Sequence, residues 1–212
     1  LGRTDRAPMY DWKYRKPKSL EERQHILEVP ERLDFEGKVV TPFDENAARN
    51  VAKKFVELGV DSVAIVFLHS YVNPAHEQKM AAVMREVAPN IEVTVSSNLS
   101  RELREYERTS TAVLDAYIKP LVRKYIGKLQ DILSERGFKG LFLMTRSGGG
   151  AMTAESSKES PANLILSGPA GGVLGASWFS KATGCGDLIT IDMGGTSLDA
   201  SLVVNGEPLT YF

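Results

Sequence analysis

The chain has 212 residues, 42% hydrophobic and 25% charged, with a formal net charge of −1 at pH 7. That suits one large or two small globular domains, and near-neutral charge argues against a nucleic-acid or anionic-membrane surface. A lone Cys185 excludes an intramolecular disulfide, three unpaired histidines offer no zinc site, and no apolar run reaches the ~20 residues of a membrane span.

With one cysteine and no signal peptide, a cytoplasmic setting is expected. Cys185 reads as a small apolar residue near a strand. The chain opens on Leu1 and closes on Phe212 inside a β-rich run, so a piece of a longer polypeptide is expected. Residues 1–35 mix Pro8, Pro17 and Pro30 with charges and with Met9, Tyr10, Trp12 and Tyr14, which predicts an extended segment anchored by its aromatics. The run Trp12-Lys13-Tyr14-Arg15-Lys16 alternates like a base-stacking strand, but the neutral whole chain weighs against nucleic acid.

Regular periodicity begins at Phe43. Asp44 is a candidate N-cap, Ala48, Val51, Ala52, Phe55 and Leu58 share one helical face, and Gly59 is the stop. Residues 62–68 form an unbroken apolar run, as in a strand buried on both faces. Asn73-Pro74 opens a second helix, proline at its first position, with Met80, Met84 and Val87 inward. Residues 91–95 alternate as a strand. This order predicts an α/β fold with helices on a largely parallel sheet. His69 follows the buried strand, where α/β ligand sites lie, although a loop histidine is more often structural.

Residues 101–108 are charge-dense and read as a solvated helical face of i,i+3 and i,i+4 pairs. A long helix over 110–136 follows, with Leu114, Ile118, Leu121, Tyr125, Leu129 and Ile132 along its seam, a kink at Pro120 and Gly137 as its end. A short strand at 141–145 runs into Arg146-Ser147-Gly148-Gly149-Gly150, either a ligand loop or a flexible connector. Residues 153–160 are polar and helix-compatible, and 163–166 are apolar. Ser167 then caps a helix that starts at Pro169 and is small-sided through Gly168, Ala170, Gly171, Gly172, Gly175 and Ala176. Each glycine costs a helix ~1 kcal/mol relative to alanine. Their presence calls for a close-packed backbone or a phosphate at the helix start.

The stretch that organises the chain is 187–212. An apolar run, 188–191, ends at Asp192; Met193, Gly194, Gly195, Thr196 and Ser197 form a turn; Asp199 and a β-rich run, 200–204, follow. Asn205-Gly206 accepts the positive φ angles of a two-residue hairpin turn, and 208–212 begins a third antiparallel strand. Gly194 and Gly195 let backbone N–H groups approach a ligand, Thr196 and Ser197 add hydroxyls, and the turn can cradle an anion. Carboxylates beside such a cradle, here Asp192 and Asp199, hold Mg²⁺ or orient a water. The plainer alternative is a glycine-rich hairpin whose aspartates cap backbone groups.

A small-residue helix opening Pro-Ala-Gly-Gly and leading into DMGGTSLD resembles the second half of the actin-like ATPases. Within them the chain is most similar to the hydantoinase A / 5-oxoprolinase family, which includes acetone and acetophenone carboxylase subunits. The matching stretches are VPERLDFEGKVVTPFDE (29–45), REYERTSTAVLDAYIKP (104–120), MTRSGGG (144–150), SGPAGGV (167–173) and IDMGGTSLD (191–199). Leu198 stands where threonine is expected, and Thr145-Arg146 where Gln-Ser is.

The resemblance implies an RNase-H-like α/β architecture of which this chain is an incomplete fragment. Residues 1–35 would be the extended segment and 36–140 the later part of the N-terminal α/β domain with its long helix. Residues 141–212 would begin the second lobe with three antiparallel strands. By the same resemblance ATP is bound by Gly194, Gly195, Thr196 and Ser197, with Gly148, Gly149 and Gly168 as further contacts. Asp192 would hold Mg²⁺ or orient the attacking group, supported by Asp199. The implied activity is ATP-dependent phosphorylation of a carbonyl or cyclic amide for hydrolysis or carboxylation, in an oligomer with a hydantoinase B-type partner subunit. A chaperone- or actin-like conformational module without a small-molecule substrate is the alternative.

Overall fold

Asp44 starts the first regular helix by accepting a hydrogen bond from the Ala47 N–H through its side chain at 3.0 Å. The helix, α1 (Glu45–Leu58), ends where Gly59 turns left-handed at φ 65°. In this computed structural model residues 12–15 and 20–210 are described. Met9, Tyr10 and the ends of the chain lie outside them. Trp12 is 88% exposed.

The chain divides into two compact units between Leu121 and Val122. The first holds a short antiparallel pair, β1 (Arg32–Leu33) and β2 (Val39–Thr41), then α1. A βαβ unit follows: β3 (Ser62–Ile65), α2 (Ala75–Val87) and β4 (Glu92–Val95), with β3 and β4 parallel and in register from Ser62↔Glu92 to Ile65↔Val95. A four-residue helix, α3 (Ser96–Leu99), leads to the long α4 (Glu105–Glu135). The apolar core lies between the two helices and the strand pair: Ala48, Ala52 and Phe55 from α1, Met80, Ala81, Val83 and Met84 from α2, and Val63, Ile65 and Val95 from the strands. Leu58, expected on the inner face of α1, is exposed.

Several expectations need correcting. The sheet is not largely parallel: β3–β4 is the parallel pair among the described residues, and every other pairing is antiparallel. The strand expected over 62–68 stops at Ile65, and its burial alternates. Beyond it, side chains replace ladder partners: the Phe67 N–H donates to Glu77 Oε1 at 2.8 Å, and Arg108 Nη2 donates to the Phe67 carbonyl at 2.7 Å. Pro74 is the N-cap of α2 rather than its first residue, and Asn73 Oδ1 accepts from the Ala75 N–H. Residues 101–104 are not helical, and Arg108, expected on a solvated face, is only 1% exposed.

The face of α4 that is buried carries Arg108, Ala112, Asp115, Ala116, Lys119 and Ile126, while Leu114, Leu121 and Tyr125 of the expected seam are exposed. Asp115 and Lys119 on that face find partners on β4. Thr94 Oγ1 donates to Asp115 Oδ2 at 2.7 Å, and Lys119 Nζ reaches the Val93 carbonyl at 3.2 Å. A helix can hold such residues inward when each finds a partner. Pro120 sits within α4 without ending it. Gly137 closes the helix as expected: its N–H bonds to the Ser134 carbonyl and that of Phe138 to Leu133, the paired bonds of a Schellman end.

The second unit contains an antiparallel hairpin, β5 (Leu143–Thr145) and β6 (Ala151–Thr153), then α5 (Ala154–Glu159) capped by Thr153. A 3₁₀ turn (Pro161–Leu164) leads to α6 (Ser167–Thr183) and a three-stranded antiparallel meander, β7 (Leu188–Met193), β8 (Leu198–Val204) and β9 (Glu207–Pro208). Leu166, at φ 61°, precedes α6, so Ser167 is its first residue and makes no capping bond, and Pro169 lies inside the first turn. Cys185 is exposed rather than packed. No helix among the described residues is long and apolar enough to cross a membrane.

Candidate functional site

The β7–β8–β9 meander is pinned at one end and open at the other. At the pinned end Asn205 and Gly206 hold φ 52° and 77°, the type I′ geometry their sequence predicts. The Asn205 N–H donates to Asp187 Oδ1 at 2.8 Å. From α6, Ser177 Oγ donates to the Gly206 carbonyl, Ser180 Oγ to the Gly186 carbonyl, and Lys181 Nζ pairs with Glu207 Oε1 at 2.6 Å. One face of the hairpin, with Val203 buried, is the face that α6 covers; Ile189, Ile191, Met193, Leu198 and Leu202 lie on the other.

At the open end, strand pairing runs to Met193↔Leu198, so Met193, expected in the turn, is the last residue of β7, and 194–197 form the turn, closed by a 3.0 Å bond from the Gly194 N–H to the Ser197 carbonyl. Asp192 and Asp199, expected at the edges of the turn, sit inside the strands and pair directly across them. Two carboxylates opposed in an antiparallel ladder have Cβ atoms about 5 Å apart and repel. Both are solvent-exposed, as are Gly194, Gly195, Thr196 and Ser197.

Neither Gly194 nor Gly195 has a positive φ. A Cβ built on either meets nothing within 4 Å. Backbone conformation and crowding within the chain therefore do not explain glycine there, in contrast with Gly206.

Gly148 and Gly149 lie in the β5–β6 turn, where Gly149 and Gly150 have φ 85° and 77°. That turn is tied down through Ser147, whose N–H and Oγ both donate to the Asn163 carbonyl at 2.8 and 2.6 Å. Gly168 is in the first turn of α6. A Cβ on Gly168, Gly171, Gly172 or Gly175 would meet nothing within 4 Å, so close packing within the described chain does not account for this glycine-rich helix. No hydrogen bond among the described residues joins Gly148, Gly149 or Gly168 to the 194–197 turn.

A polar cluster in the first unit has no signature in the sequence pattern. Glu77, fully buried, accepts from the Phe67 N–H, from Ser96 Oγ at 2.7 Å and from the Ser97 N–H at 2.9 Å. Arg108 donates to Ser70 Oγ at 2.5 Å as well as to the Phe67 carbonyl. His69, the one member singled out from sequence, lies in the same loop with φ 57°.

Family models described as hydantoinase/oxoprolinase and hydantoinase/oxoprolinase N-terminal region match residues 108–212 and 1–88. The chain is 35% identical over 201 residues to the acetophenone carboxylase gamma subunit of Aromatoleum aromaticum, covering 92% of this chain and 27% of that protein. The solved structure of the ATP-dependent caprolactamase from Pseudomonas jessenii matches with a TM-score of 0.80 and 32% identity, over 95% of this chain and 29% of that one. A nucleotide-free acetone carboxylase structure matches with a TM-score of 0.76 and 32% identity, over 84% and 26%. The chain thus spans less than a third of the length of these relatives. It belongs to the hydantoinase/oxoprolinase family.

Proposed function

We propose that this chain is the phosphate-gripping part of an ATP-dependent enzyme subunit. The enzyme would activate a carbonyl or cyclic amide by phosphorylation, for hydrolysis or carboxylation. One observation carries the reading: the 194–197 turn is glycine-rich where neither φ nor crowding asks for glycine. Its N–H groups other than that of Gly194, which closes the turn, and the Thr196 and Ser197 hydroxyls are the donors that would hold the β- and γ-phosphates of ATP. The relatives support the nucleotide, since the caprolactamase and the acetone carboxylase are both named as ATP-dependent. The architecture proposed for the whole subunit is RNase-H-like, with the β7–β8–β9 meander at the start of one lobe.

The opposed pair Asp192 and Asp199 fits Mg²⁺. This ion is usually held by one or two carboxylates together with substrate phosphates and waters, rather than by an all-protein cage. Among the described residues there is no group of three or more acidic, histidine or cysteine side chains that would make such a cage. Bound Mg²⁺ supplies charge neutralisation on the phosphate oxygens. Asp192 and Asp199 would hold the ion in place, and the turn would orient the phosphates by backbone donors that need no rearrangement. Gly148, Gly149 and Gly168 are proposed as further nucleotide contacts, where the absence of a side chain would let a phosphate approach the backbone. Several relatives are named as subunits. Accordingly the enzyme is proposed to work as an oligomer with a hydantoinase B-type partner.

Steady-state ATP turnover of the full-length protein, with and without hydantoins, lactams, 5-oxoproline or ketones, tests this reading. Asp192→Asn keeps the size of the side chain and relieves repulsion with Asp199, so the fold should persist by circular dichroism. Turnover should fall by ~10²-fold or more. Undiminished turnover in that variant would remove Asp192 from the site.

A further inference from the structure

The carboxyl end of the β3–β4 pair gathers polar side chains that the nucleotide turn does not use. The two strands finish level, Ile65 opposite Val95, and open α/β sheets receive ligands beyond that edge. Among the described residues, three buried side-chain polar atoms have no hydrogen-bond partner: His69 Nδ1, Ser97 Oγ and Arg108 Nε. Buried polar groups are otherwise almost always paired. Ser97 and Arg108 belong to one hydrogen-bonded network at this edge, and His69 stands beside it against the Tyr71 ring.

Glu77 joins Phe67, on the β3 side, to Ser96 and Ser97, on the β4 side. Arg108 joins Phe67 to Ser70. The Arg108 guanidinium carbon lies 5.8 Å from the centre of the Tyr71 ring, and His69 stands edge-on to the same ring at 6.0 Å. His69 also holds a left-handed backbone, a conformation that histidine adopts infrequently and that gathers at ligand sites.

The chemistry of the unpaired atoms is one-sided. Arg108 Nε–H and the Ser97 hydroxyl are donors, and His69 Nδ1 donates in one tautomer and in the protonated ring. The partners Arg108 has in the structure, Ser70 Oγ and the Phe67 carbonyl, are neutral. Glu77, the acid in the network, already accepts three hydrogen bonds. Arg108 and Ser97 are 1% and 4% exposed, whereas His69 and Tyr71 are half-buried and give the cluster a face to solvent.

We infer that this edge is a binding site for a small carboxylate, whose oxygens accept from Arg108 Nε, His69 Nδ1 and Ser97 Oγ. The site lies within the first unit and does not depend on the nucleotide reading of the 194–197 turn.

Titration of the 212-residue chain with sodium acetate, against sodium chloride at matched ionic strength, tests it by ¹⁵N NMR of the Arg108 Nε–H and the His69 ring. Both signals should move together and saturate with a Kd on the order of 1–10 mM. Ser97→Ala removes one donor with little threat to folding and should weaken binding by roughly 3–10-fold. His69→Asn, which tolerates the left-handed backbone, should weaken it by a similar factor. An adventitious response would look different: equal shifts in chloride, no saturation by about 100 mM acetate, or unchanged affinity in both variants would each overturn the proposal.

Discussion

Gly195 and Gly206 bracket the same strand, β8, and are glycine for different reasons. Gly206 has φ 77°, and a Cβ there would stand 2.8 Å from Lys181 Cγ. Gly195 has neither constraint. Alanine should therefore separate stability from function at the two positions. Gly206→Ala should lose about 1–2 kcal/mol through backbone strain and displacement of Lys181, read as a lower urea midpoint. Gly195→Ala should stay within about 0.5 kcal/mol of the parent, yet cut ATP turnover of the full-length protein by roughly 10-fold or more through a methyl placed against the phosphates. A Gly195→Ala protein of normal turnover would return this turn to the ordinary-hairpin reading. The same contrast shows what a residue pattern can reveal. Asn205-Gly206 announces its turn type in two letters, whereas the glycines at 194 and 195 announce only freedom, and the backbone angles decide how that freedom is used.

At the scale of elements, α1 and α2 are held by more than their apolar faces. Arg49 on α1 donates bidentately to Glu86 on α2, 2.8 Å to each oxygen, and also reaches Glu45 one turn back. The hydrogen bonds from Arg49, and then its charge, hold the Glu86 carboxyl below its ordinary value of 4.5, and the arginine is raised in return. A carboxyl depressed in the folded state contributes stability above its unfolded pKa and loses it as pH falls through the folded one. The pair is exposed, so the effect is small. Its sign is nevertheless definite. A ¹³C titration should place the Glu86 midpoint below the ordinary glutamate value in the parent and return it there in Arg49→Gln. The stability difference between the two proteins should shrink as pH drops below about 4.5. An unshifted Glu86 in the parent would show that the bidentate contact does not persist in solution.

Across the whole molecule, the elements that announced themselves did so through local chemistry. Asp44 caps, Gly59 and Gly137 stop, and Asn205-Gly206 turns, each by a preference that acts within a few residues. Asp192 and Asp199 were legible as neighbours of the turn, but their direct opposition follows from the length of the loop between them. What stayed hidden was the inward use of charge. Glu77 in AHEQKM and Arg108 in REYER have the spacing of solvated helical residues. Their partners lie ten to forty-one residues away in sequence, so no window of sequence contains them.

The same scale governs the outer face of the β7–β8 hairpin. Alternation sends Val203 toward α6 and Ile189, Ile191, Met193, Leu198 and Leu202 away from it, with Ile191 68% and Met193 77% exposed. Scattered apolar side chains are ordinary on a surface, but five adjoining ones on one sheet face make a patch that water disfavours. The 212-residue chain should therefore bind a fluorescent apolar dye such as anilinonaphthalene sulfonate while natively folded. The double variant Ile189→Thr, Ile191→Thr keeps β-branched shape and strand preference and should lower the dye signal by at least about half without a change in far-ultraviolet circular dichroism. Dye binding that survives the substitution would place the exposed apolar area elsewhere. Dye binding that appears only with loss of near-ultraviolet structure would mean that the chain has loosened rather than displayed a face.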